Sequence, residues 1–176
     1  MRNRSSFLRL ILGLLILACS TIVYAQNTIP KPINSIEKVG AILYDAALDN
    51  PNYYLCDERN IMEYYQVNPK FKEGHNSVKL YFKAATKGLK FSEKINGLLT
   101  LRFVINCRGE IGRVRSFTID ANYQSICLNK AKIAVISDHI KQMPNWTPGN
   151  YKEKEYDAYK MISFKIINGV ITEIIP

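Results

Sequence analysis

The chain has 176 residues, 47% of them apolar and 22% charged, and its 24 Lys and Arg against 15 Asp and Glu give a formal net charge of +9. That apolar fraction excludes a disordered chain, and the length fits one domain with an extension. The basic excess points to anionic neighbours such as phospholipid headgroups, envelope polymers or nucleic acid, with solubility as the plainer reading because the lysines are scattered.

Residues 1–25 read as a targeting segment. Arg2, Arg4 and Arg9 make a basic start, Leu10 to Ala18 is nearly unbroken aliphatic, and Val23-Tyr24-Ala25 ahead of Gln26 presents small residues to a signal peptidase. This predicts export and a mature chain from Gln26, periplasmic or secreted, for which nucleic acid is the least fitting partner. Two other readings stay open. Ile16-Leu17-Ala18-Cys19 resembles a lipobox, so Cys19 could be lipidated and tie the chain to a membrane, and Phe7 to Ala25 is just long enough to remain as an anchor.

Residues 26–35, with Pro30 and Pro32, read as a short extended leader. Ile36, Val39, Leu43 and Ala46/Ala47 recur at helical spacing and predict a helix over 36–48, stopped by Asn50-Pro51. A second short helix is expected over 57–66, so that residues 26–70 form an N-terminal helical extension. Its Tyr64 and Tyr65 read as half-buried packing rather than a sugar-binding platform. From Asn76 as N-cap, Val78, Phe82, Ala85 and Leu89 mark one face of a helix ending near Gly88.

The period then changes to two. Leu99, Leu101, Phe103 and Ile105 share one face against Thr100, Arg102 and Asn106, the pattern of a half-buried strand, and Arg108-Gly109-Glu110 turns the chain into a second strand over 111–120. Ile126, Ile133, Ile136, Ile140 and Met143 predict the longest helix, over 125–143, which Pro144 stops. Residues 156–168 alternate again, Asn168-Gly169 is a two-residue hairpin signal, and 170–175 is its short partner strand. The expected fold is therefore α+β: a small antiparallel sheet in the order strand, strand, helix, strand, short strand, with helices on one face and helices preceding it.

Little in the chain reads as catalytic. Asp138-His139 would point about 100° apart on a helix, His75 sits in a polar loop, and no nucleophile lies at a recognisable spacing. No phosphate-cradling loop, HExxH or GxSxG is present, and without a CxxC or Cys/His cluster neither a metal nor a cofactor is expected.

Residues 98–175 resemble the C-terminal domain of TonB. Gly97-Leu98-Leu99-Thr100-Leu101-Arg102-Phe103-Val104-Ile105 is similar to its first strand and Gly109-Glu110-Ile111 to its turn. A helix closing on Met143-Pro144-Asn145-Trp146-Thr147-Pro148-Gly149, and the strand Ile162-Ser163-Phe164-Lys165-Ile166-Ile167-Asn168-Gly169, continue the match. With the helix over 76–89 the resemblance defines a domain over 71–176. It implies a protein-binding module of the cell envelope that adds an extended segment of an outer-membrane transporter to an exposed sheet edge. The edge it implies is the 156–168 strand, with Tyr159, Met161, Ser163, Lys165 and Ile167 meeting the partner. Asn168-Gly169 bears on that directly, because the turn folds 170–175 onto the same edge. An accessory envelope protein that uses the fold without strand capture is the second reading. A full TonB is not expected, since the chain lacks a long proline-rich segment before the domain.

Trp146, bracketed by Pro144 and Pro148 and followed by Gly149, is expected to cap the core and give its N–H to a backbone acceptor. Export leaves Cys56, Cys107 and Cys127 in a compartment that permits a disulfide. About 30 Å of strand would separate Cys107 from Cys127, too far for a bridge. Cys56–Cys107 is the expected pair, with Cys127 a buried thiol on the inner face of the long helix.

Overall fold

Alternation of apolar and polar residues along Gly97–Ile105 builds the strand around which everything else is arranged, since every second side chain of a strand faces the same side. The structure, a computed structural model, describes residues 40–92 and 94–176. The expected signal segment, Cys19, the cleavage site at Ala25 and the leader over 26–35 lie outside the described residues.

In chain order the elements are α1 (Tyr64–Val67), β1 (Lys70–Phe71), α2 (Gly74–Ala85), β2 (Gly97–Ile105), β3 (Ile111–Asp120), α3 (Lys130–Gln142), β4 (Trp146–Thr147), β5 (Gly149–Tyr151), β6 (Lys154–Tyr156), β7 (Ala158–Ile167) and β8 (Val170–Ile175). The fold is α+β. Four strands make an antiparallel sheet in the order β3-β2-β7-β8, and the pairs β1-β4 and β5-β6 are small separate sheets. Among the described residues no helix is long and apolar enough to cross a membrane.

One face of the sheet carries the core. Leu99, Leu101, Phe103 and Ile105 of β2 and Ile162, Phe164 and Ile166 of β7 are buried against Val78 and Phe82 of α2 and Ile136 and Ile140 of α3. Phe82 and Phe164 meet edge to face with centroids 5.2 Å apart, a geometry aromatic quadrupoles favour. Each such aromatic, fully buried, contributes roughly 1.5–3 kcal/mol of transfer free energy.

The long helix starts five residues later than expected. Ser125 bridges Ile119 and the Ile126 N–H donates to Thr118 O, so 125–128 stays extended along β3, and Asn129 becomes the N-cap by accepting the Lys132 N–H. Cys127 therefore lies on exposed loop rather than on the buried face of a helix. The other core helix starts at Gly74 with Glu73 as N-cap, which leaves Asn76 inside its first turn.

The expected helix over 36–48 is absent from its described part. Residues 40–45 carry no regular structure and 46–48 form a turn; of the apolar residues there Ile42 is buried while Leu43, Ala46 and Ala47 are exposed. Helix propensity is a weak prior, and here tertiary contacts take the backbone carbonyls instead. The helix expected over 57–66 shrinks to Tyr64–Val67 for a similar reason. Asp157 captures the N–H groups of Cys56 and Asp57, the Asn60 N–H closes a turn on Asp57 O, and Met62 pairs in parallel with Ala158, which keeps 56–62 out of a helix. Residues 40–70 are thus laid against the sheet and share one compact unit with residues 71–176.

Candidate functional site

The five residues expected along a binding edge do not share one. β7 is an inner strand, paired with β2 from Ala158 to Ile166 and with β8 from Ser163 to Ile167. The edge expected at Ser163, Lys165 and Ile167 is therefore occupied by β8, because the Asn168-Gly169 turn has the positive φ values, 51° and 74°, that a tight hairpin of the right twist requires. Gly169 has no alternative there, since a Cβ would meet Ser92 O at 2.5 Å and Phe91 O at 2.7 Å. Chain 91–96 locks the turn through Phe91 N–H to Gly169 O, Gly169 N–H to Ile95 O and Asn168 N–H to Asn96 Oδ1.

The side chains of those five residues go to the sheet face away from the helices. Tyr159 is buried there against Ile42 and Val104, and its hydroxyl accepts the Ile42 N–H at 3.4 Å. Met161 is exposed and, with Thr100, Arg102, Phe117 and Ile119, lines a hollow of about 180 Å³. Ser163 Oγ lies 2.8 Å from Thr100 Oγ1, Lys165 reaches Glu173 at 3.9 Å, and Ile167 is exposed beside the turn.

An exposed edge lies one strand further out. β8 ends the sheet, and apart from a bridge from Lys90 to Val170 no described strand pairs with its outer side. At the opposite edge β3 is covered at its end by Ser125 and Ile126. Beside β8, between it and α2, runs an open groove of about 740 Å³ with Leu80, Leu89, Ile171 and Ile174 among its walls. An edge strand next to an apolar groove provides main-chain hydrogen bonds for affinity and pockets for alternate side chains.

Arg102, which the sequence places on a polar strand face, is instead one of three arginine clasps, with Arg113 and Arg115. Arg102 Nη1 donates to Gly40 O at 2.5 Å and Nη2 to Glu63 Oε1 at 3.0 Å, while its guanidinium lies 4.1 Å from the Tyr159 ring centroid. Arg113 sits at a β-bulge with φ 50°, and the bulge aims it at Ile42 O (3.0 Å) and Glu58 (2.5 Å). Arg115 donates to Leu43 O at 2.8 Å and holds Asp49 through both carboxylate oxygens. Burial alone would raise the Asp49 pKa, but the Arg115 hydrogen bonds, the Asp45 N–H and the charges of Arg115 and Arg113 outweigh it and hold Asp49 below the usual carboxylate range. Arg102 and Val104 are buried, so β2 is covered on both faces at that end rather than half-buried. The density of arginine at 102, 113 and 115 was the available signal, and forks of this shape match a carboxylate and a carbonyl together.

Cys56 and Cys107 form the expected disulfide, with Cα atoms 6.1 Å apart. Asp157 lies against it, and the three side chains are close enough to hold a metal. Their donor atoms are committed, however: the sulfurs to each other, Oδ1 to the Cys107 N–H, and Oδ2 to the N–H groups of Cys56 and Asp57. Nearby, burial first and then the Asp157 charge push the Tyr53 phenol far above its ordinary pKa, keeping it a donor to Val104 O at 3.0 Å. Gly112 is glycine because the Tyr53 ring lies where a Cβ would be, at 2.4 Å.

Trp146 caps the core, edge to face with Phe71 at 5.6 Å and Phe103 at 5.8 Å. Its Nε1, expected to reach a backbone acceptor, is buried without a hydrogen-bond partner among the described residues. Pro144 is exposed and Pro148 half-buried, and Gly149 is buried where a Cβ would strike Val67 Cγ2 at 2.3 Å. Asp138 pairs with Lys141 at 3.6 Å, whereas His139 Nδ1 lies 3.4 Å from the Tyr81 hydroxyl; α3 therefore turns the two apart.

Comparison of the chain with protein families, with characterised proteins and with solved structures finds no match.

Proposed function

We propose that this chain is an exported, non-catalytic cell-envelope protein whose TonB-like domain captures an extended segment of another envelope protein at the outer edge of β8. The observation that carries the reading is that edge, which ends the sheet beside a groove with apolar walls. A disulfide is at home in an oxidising compartment, which supports export. The resemblance to TonB implies an outer-membrane transporter as the partner class.

The edge assigned here is one strand removed from the one the resemblance implies, because β8 covers the C-terminal half of β7. That cover also favours the second reading, an accessory envelope protein that uses the fold without capture. A photo-crosslinker at exposed Thr172, compared with one at exposed Ser116 on β3, tests the proposal in envelope preparations. Capture predicts a discrete adduct at 172 alone, and hydrogen-exchange protection of 171–175 when the adduct partner is added in purified form. Deletion of 170–176 then abolishes binding. Unchanged or tighter binding by the deleted chain would mean that β8 is displaced and β7 is the docking strand. Absence of any adduct at 172 would support the accessory role.

A further inference from the structure

The groove beside β8 has an electrostatic bias that a simple apolar slot would lack. Lys79 and Lys83 stand one turn apart on the exposed side of α2, and Lys87 and Lys90 continue the line past the helix end. All four are exposed, and no ion pair joins any of them to a described carboxylate. Like charges at i, i+4 weaken a helix by a few tenths of a kcal/mol, so α2 carries the Lys79/Lys83 pair at a small cost to its own stability. Glu173 is the single acid on the groove walls, and Lys165 lies 3.9 Å from it.

Resting on the proposed strand capture, we infer that the segment received at β8 is acidic: an extended peptide in which Asp or Glu residues alternate with apolar ones. The backbone of such a peptide pairs with β8. Its apolar side chains meet Leu89, Ile171 and Ile174, and its carboxylates face the lysine row. A second copy of this chain fits poorly, because it would bring four more lysines to the same seam. An anionic membrane fits poorly as well, because a sheet edge presents N–H and C=O groups that lipid tails leave unpaired.

Titration of the isotopically labelled, disulfide-intact chain with short capped peptides, followed by amide NMR, tests this. The probe is alternating valine and glutamate, compared with the same peptide carrying glutamine or lysine in place of glutamate, and with an N-methylated version that cannot pair as a strand. The expected result is binding of the glutamate peptide, with shifts centred on 171–175, weakened by salt and by N-methylation. Triple reversal K79E/K83E/K87E should weaken it about tenfold, since each exposed pair contributes a factor of about two, and should create affinity for the lysine peptide. These positions are exposed, so the reversed chain is expected to fold, which its unchanged amide spectrum elsewhere will verify.

Equal binding of glutamate, glutamine and lysine peptides at β8 would overturn the acidic preference and leave strand capture standing. Undiminished binding of the N-methylated glutamate peptide would overturn strand capture itself. Binding of vesicles containing anionic phospholipid, with no response to any peptide, would overturn both in favour of a membrane surface.

Discussion

The Asp157 carboxylate accepts the Cys56 N–H at 2.7 Å, joining two positions 101 residues apart. The same carboxylate takes the N–H groups of Asp57 and Cys107, and Asp157 is 1% exposed. One buried side chain thus satisfies donors from the N-terminal segment and from the β2–β3 turn at the mouth of the disulfide. Asp157→Asn is expected to cost about 2–4 kcal/mol, because an amide N–H₂ would replace one acceptor and leave buried N–H groups unpaired. Urea unfolding of the oxidised protein measures this, and a loss below about 0.5 kcal/mol would show that these hydrogen bonds add little to stability.

The disulfide closes a loop with a sequence separation of 51, which by chain entropy corresponds to about 4 kcal/mol. The double variant Cys56→Ser/Cys107→Ser should lose much of that in an unfolding titration. In native protein lacking residues 1–25, a maleimide should label the exposed Cys127 and leave 56 and 107 untouched until reduction. Labelling at Cys107 without reductant would contradict the pairing.

Trp146 separates packing from hydrogen bonding. Because its indole N–H has no partner, Trp146→Phe should cost about 1 kcal/mol, whereas Trp146→Ala should cost about 3–5 kcal/mol through the cavity it leaves between Phe71 and Phe103. Thermal unfolding of the two variants side by side gives the comparison. Equal losses would show that the ring fills no essential space.

The depressed pKa of Asp49 sets a pH dependence. A carboxylate whose folded pKa lies below its unfolded value contributes stability that is complete above the unfolded value of about 3.9 and disappears as pH falls through the folded one. Stability should therefore drop as pH is lowered below about 4, and Asp49→Asn should flatten that part of the curve while lowering stability at neutral pH. Unfolding midpoints between pH 3 and 7 report both effects, and parallel curves for the two proteins would exclude the Asp49–Arg115 pair as a contributor.

Strand periods at 98–106, 111–120 and 156–168, the Asn168-Gly169 hairpin and the helix ending at Pro144 were legible because they depend on neighbours two to four residues away. Leu99, Phe103 and Ile162 announce their face by alternation alone, and Asn-Gly announces its turn by the φ values it tolerates. The Cys56–Cys107 pair followed from strand lengths and a turn position, again local information added along the chain. The start of α3 and the fate of residues 40–62 were not legible, because each depends on a partner far away in sequence. Thr118 holds Ile126 extended, Asp157 holds Cys56 and Asp57, and three arginines take the carbonyls of Gly40, Ile42 and Leu43.

The candidate site divides along the same line. Short-range spacing announces the strand after Gly169, whereas the lysines at 79, 83 and 87 read only as part of a scattered basic excess. That β7 is an inner strand, that β8 ends the sheet and that those lysines line the groove beside it follow from the assembled fold. An edge is defined by what does not pair with it, and which strand is left unpaired depends on how the whole sheet assembles.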